Sequence, residues 1–168
     1  CQDYLSYRGV YEPEYLLEVI EAGNLDYLQP GWQAAYDQAV QAVSNGEISA
    51  VDGIFDELYF ATSQIIVKEA GDNFMKSYLK MFIDLHNLKV RLRLLHNPSF
   101  TFKPEFIPGG TIDESHLETT EDVYSALGNY GGVEFWKDAI EYYQETGNTT
   151  SLDARLVEYL LMFAKEAS

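Results

Sequence analysis

Residues 78–97, YLKMFIDLHNLKVRLRLLHN, set how the rest of the chain is read. The stretch holds no glycine or proline. Leu85, Leu88, Leu92 and Leu95 recur at three- and four-residue steps, the spacing of one apolar helix face. Asp84, Asn87 and Arg91 repeat at the same spacing on a second stripe, so their side chains meet along one side. His96, Asn97 and Pro98 end the helix, because a residue before proline is pushed out of the α region. The charge pattern is unusual. Residues 76–103 carry six of the eleven basic residues (Lys76, Lys80, Lys89, Arg91, Arg93, Lys103) and one acid, Asp84, leaving twenty-six acids and five bases elsewhere. A basic helix inside an acidic protein is the organising feature.

The totals narrow the possibilities. A chain of 168 residues is expected to form a single domain, or one domain plus a fragment, and is long enough to bury a core. With 46% apolar residues it is not a disordered chain. A net charge of −16 repels phosphate and argues against nucleic acid as a partner, whereas a basic protein surface fits. The one cysteine, Cys1, forms no intrachain disulfide, which points to a reducing compartment. A lipidated N-terminal cysteine is the other reading, but Gln2-Asp3-Tyr4 suits a flexible tether poorly. No window approaches the ~18 uninterrupted apolar residues of a membrane span, and the start has no charged-then-apolar signal pattern.

On either side of this helix, nearly every segment reads as helix too. Pro13 to Ala22 is predicted helical, with Leu16, Leu17 and Ile20 as its apolar face, Pro13 at N1 and Gly23 as the stop. Gly31 to Val43 follows, with Trp32, Ala35, Tyr36, Ala39 and Val43 on one side and Asn45-Gly46 closing it. Ser49 is expected to cap a helix running to Ala70, with Asp52 at N3 and a stripe of Val51, Phe55, Leu58, Tyr59, Ala61, Ile65 and Ile66. Residues 98–112, PSFTFKPEFIPGGTI, are the long non-helical stretch, and Pro108-Gly109-Gly110 demands a turn. Asp113 caps a short helix through Leu117. Thr119 or Thr120 caps another, with Asp122 near N3. Val133 to Thr146 is stopped by Gly147-Asn148, and Ser151 is expected to cap a last helix to about Ala167. The class is all-α.

Two segments about a hundred residues apart match in order and type. Tyr36-Asp37-Gln38-Ala39-Val40 lies against Trp136-Lys137-Asp138-Ala139-Ile140, and residues 49–52 against 150–153. Each unit is a helix, a tight turn and a long capped helix, so a duplication of about 31–66 as 131–168 is expected. The first long helix is followed by the basic helix and the second has no such successor, so the chain is expected to be an excerpt, or a short relative, of something longer.

Candidate chemistry is sparse. Asp52 and Asp56 stand at i,i+4, but two carboxylates without a third ligand make no metal site, and acids are favoured near a helix start on dipole grounds alone. His86, His96 and His116 lack metal-ligand spacing. There is no P-loop, dinucleotide fingerprint or nucleophile elbow. No catalytic residue and no cofactor are assigned. Asn148-Thr149-Thr150 matches the glycosylation pattern, and a helix-cap turn explains it equally. An asparagine on a largely apolar helix is expected to bond a loop backbone, because burying it unpaired costs about 1–3 kcal/mol. Asn87 or Arg93 is therefore expected to tie down the loop 98–112. Lys89, Arg91 and Arg93 are expected to pair with neighbouring acids, with a partner contact as the sharper reading. Phe100, Phe102, Phe106 and Ile107 either pack that loop over the helices or present a contact surface.

With those residues in view, the sequence resembles the C-type subunit of the V/A-type rotary ATPases, whose vacuolar equivalent is the d-type subunit. The resemblance lies in Ile83-Asp84-Leu85-His86-Asn87-Leu88-Lys89, then Arg93, then Ile107-Pro108-Gly109-Gly110 and Leu117. Asp52, Asp56 and Tyr59-Phe60 also look like the family's upstream pattern. It covers residues 50–168 well and the first 49 more loosely; family members are normally longer. The resemblance implies an all-helical, funnel-like, non-catalytic part of the central stalk. Such parts sit on the membrane rotor ring, receive the lower end of the axle and pass torque between the ATP-handling head and ion movement. They lie on the cytoplasmic side, touching the membrane only through the ring. Two other readings stand beside it: an all-α metal-dependent enzyme using Asp52 and Asp56, and a generic acidic helical adaptor.

Overall fold

The computed structural model describes residues 11–97 and 105–166. Among them the elements are α1 (Pro13–Ala22), a 3-10 turn (Leu25–Tyr27), α2 (Trp32–Ser44), α3 (Ala50–Ala70), α4 (Asn73–His96), a second 3-10 turn (Glu114–His116), α5 (Thr120–Leu127), α6 (Val133–Thr146) and α7 (Thr150–Glu166). The described residues hold no strand, so the class is all-α as expected. Pro98, Phe100 and Phe102 lie outside the described residues.

The local signals act where the chemistry is unambiguous. Pro13 opens α1, and Gly23 closes it at φ 68, a left-handed position that suits glycine. The Asp72 carboxylate accepts the Met75 amide at 2.8 Å, so α4 starts at Asn73, ahead of the quoted stretch. Thr119 and Asp122 form a reciprocal capping box at the head of α5. At α7 the expectation needs correcting. Asn148 Oδ1 accepts Thr150 N at 2.8 Å and Thr150 Oγ1 at 2.6 Å, so the helix starts at Thr150 with Ser151 already inside it. The carbonyl of Thr149 accepts Asp153 N at 2.9 Å, so the chain enters the helix two residues before Ser151.

The chain groups into two compact units, Cys1–Leu58 and Tyr59–Ser168, and the division falls inside α3. The first repeat segment, 31–66, straddles that division, whereas 131–168 lies within the second unit.

In the first unit, Val19, Leu25 and Leu28 form a small core with Tyr11, Leu16, Trp32 and Tyr36 against it. Two expected faces fail at their last residue. In α1 Val19 is buried and Ile20 exposed; in α2 Ala35, Ala39 and Ala42 are buried and Val43 exposed. Leu16, Trp32 and Tyr36 of the expected faces do pack inward, against Val19, Leu25 and Leu28.

The second unit is built on α4. Leu85, Leu88 and Leu92 are at most 1% exposed and pack with Leu117, Val123, Leu127, Trp136, Leu156 and Leu160. Truncating one such leucine to alanine costs about 2–5 kcal/mol. A separate cluster joins Phe60 and Val67 of α3 to Leu79 and Ile83 of α4 and to Ile107. The stripe expected on α3 is thus overturned in the second half of the helix. Phe60 and Val67 are buried, while Tyr59, Ile65 and Ile66 are 53%, 59% and 55% exposed. Phe60 and Val67 stand on the opposite side of the helix from that stripe, and the packing partners α4 and Ile107 select that side.

Candidate functional site

The polar stripe of α4 turns inward. Asp84 and Asn87 are each 1% exposed, in a chain whose other acids among the described residues are half-buried or exposed. A buried carboxylate survives only with its lone pairs occupied. Asp84 Oδ1 accepts Thr111 N at 2.8 Å and Ile112 N at 3.0 Å; Oδ2 accepts Thr111 Oγ1 at 2.6 Å and Tyr130 Oη at 2.8 Å. All these donors are neutral. Burial and the bond to Asp84 push the Tyr130 phenol above its ordinary value, so it stays protonated and donating.

Asn87 grips the same loop one turn further along. Its Nδ2 donates to Ile107 O at 2.8 Å and its Oδ1 accepts Ile107 N at 2.9 Å, so one amide satisfies both backbone groups of a buried residue. The bond expected from Asn87 or Arg93 to the loop is made by Asn87. Gln64 of α3 donates to Pro108 O at 2.8 Å, and Arg91 Nε to Leu117 O at 2.6 Å. The connection from 107 to 117 is therefore held on its backbone by four helical side chains.

The two turn glycines serve different needs. Gly109 sits at φ 102, which disfavours any side chain. Gly110 has no such φ. A Cβ there would overlap a carboxylate oxygen of Asp84 and lie 3.0 Å from its Cγ and 3.2 Å from Ile83 Cγ2. The second glycine makes room for the buried acid.

Lys89 and Arg91 do what was expected. Lys89 pairs with Asp153 of α7 at 2.8 Å, and Arg91 approaches Glu114 at 3.8 Å. Both pairs are part-exposed and contribute at most about 1 kcal/mol each. Arg93 is exposed. His86, 8% exposed, lies edge-on to Phe60 with ring centroids 4.9 Å apart. Burial, with Lys89 and Arg93 adding to it, lowers its pKa to about 4. Asp52 is exposed and Asp56 half-buried near the head of α3, and among the described residues no three of His, Cys, Asp and Glu converge on one point. Thr111, Tyr130 and Gln64 escaped the sequence reading. Nothing local marks them, since each meets its partner only through the fold.

The class defined by this arrangement is an all-α body in which buried side chains of a central helix clamp a glycine turn. No described helix is long and apolar enough to cross a membrane. The chain matches the family described as ATP synthase (C/AC39) subunit over residues 2–168, and it belongs to that family. This agrees with the resemblance to the C-type and d-type subunits read from Ile83 to Lys89 and Pro108-Gly109-Gly110. Membership makes it one component of a multi-subunit ATPase complex. No curated protein and no solved structure matches the chain significantly.

Proposed function

We propose that the chain is a coupling part of the central stalk, joining the soluble axle to the membrane rotor ring and making or breaking no bonds itself. Its place is the cytoplasmic side of the membrane, peripheral to the bilayer. The observation that carries this reading is where the motif residues spend their polar groups. Asp84 and Asn87 are consumed in holding backbone, and Gly109 and Gly110 in letting the backbone approach. Side chains used so are suited to stiffness rather than to reaction. Pro108 is held by Gln64 in the same turn. Lys89 ties α4 to α7, while Asp52 and Arg93 lie at the surface, where partner contact takes place. An acidic body also gains association rate toward basic partner surfaces.

The test is reconstitution. Rotary complexes stripped of this component, then supplied with it, should bind axle subunits and regain ATP-driven ion movement in sealed vesicles. Hydrolysis that resumes without ion movement, or no binding to axle and ring, would overturn the reading. Addition of Mg²⁺ or Zn²⁺ should leave the melting temperature unchanged; a rise abolished by Asp52→Asn and Asp56→Asn would favour the metal enzyme instead.

A further inference from the structure

The donors on Asp84 come from two places far apart in sequence. Thr111 and Ile112 belong to the clamped turn; Tyr130 belongs to the connection between α5 and α6. Tyr130 is itself tied into the core, since its carbonyl accepts Trp136 Nε1 at 2.6 Å and Trp136 is 1% exposed. Its ring also lies edge-on to Tyr159 of α7 at 6.0 Å. A continuous path therefore runs from the turn backbone through one carboxylate to the central tryptophan. Asn87 holds the other end of the loop, at Ile107, by a bond pair that involves neither Asp84 nor Tyr130.

The geometry points to Asp84 as a latch that makes the turn at 109–112 and the α5–α6 connection open and close together. A buried anion bound only by neutral donors depends on all of them. Withdrawing the phenol leaves the charge less compensated, so the remaining bonds to Thr111 and Ile112 break more readily. The Asn87 anchor has no such reach, and its loss stays local. The latch belongs to the mechanics of the fold and stands apart from the coupling role.

Amide hydrogen exchange on the whole chain tests it. Tyr130→Phe removes one hydroxyl and keeps the ring. It should speed exchange of the Thr111 and Ile112 amides by tenfold or more. Asn87→Ala should release the Ile107 amide while Thr111, Ile112, Tyr130 and Gly132 keep their wild-type rates. Asp84→Asn should loosen both distant segments at once. Unchanged rates at Thr111 and Ile112 in Tyr130→Phe would overturn the latch. So would Asn87→Ala loosening 128–132 as much as Tyr130→Phe does, because that would be general softening.

Discussion

Helices α3 and α4 reverse the usual relation between composition and burial. The half of α3 from Tyr59 to Val67 carries no charge, yet Tyr59, Ile65 and Ile66 are more than half exposed. Helix α4 carries five of the chain's eleven basic residues and a carboxylate, yet Ile83, Asp84, Leu85, His86, Asn87 and Leu88 are all buried. The lesson is that burial follows what neighbouring elements supply. Each polar atom of Asp84 and Asn87 meets a partner of the right kind, so α4 can be enclosed by α5, α6, α7 and the loop. Helix α3 meets α4 through Phe60 and Val67, and Tyr59, Ile65 and Ile66 are left outside.

The largest break in this contrast should come from Asp84→Ala, which strands two backbone amides and two hydroxyls. We expect a loss of about 3–5 kcal/mol, read as a lower urea midpoint with an unchanged slope. A loss under about 1 kcal/mol would mean that water replaces the carboxylate.

Acid should act next. His86 has a folded pKa of about 4, against about 6.5 when unfolded. Between those values the unfolded chain binds a proton that the folded one refuses, so stability falls as pH drops from about 6.5 to 4 and levels off below. The full loss is about 3 kcal/mol at most, and His86→Phe should flatten that part of the stability profile relative to the parent.

Gly110→Ala probes the same site by crowding. It should cost about 1–3 kcal/mol, because the new methyl group meets the Asp84 carboxylate rather than the far end of a flexible chain. The double variant Gly110→Ala with Asp84→Ala should cost less than the two single losses added, since the clash disappears with the acid. The smallest effect belongs to α3. Ile65→Ser or Ile66→Ser should change the stability of the isolated chain by no more than about 0.5 kcal/mol. A cost above about 1.5 kcal/mol would show that this face is covered.

Helix identity, the caps at Pro13, Gly23, Asp113 and Thr119, and the leucine face of α4 were legible in the sequence, because each depends on residues within a turn or two. The bond from Asn87 to the loop was also legible, since an asparagine amid leucines has few other ways to be buried. The buried side of α3 between Tyr59 and Val67 was not legible, because Phe60 and Val67 are chosen by α4 and Ile107 rather than by the helix's own pattern. Helices, their order and the need for a turn at Pro108-Gly109-Gly110 thus follow from short-range backbone and side-chain preferences. Which acid is buried, why the second glycine must be bare, and that Tyr130 meets Asp84 follow from the assembled fold, because a charge leaves water only where distant parts of the chain have gathered donors to meet it.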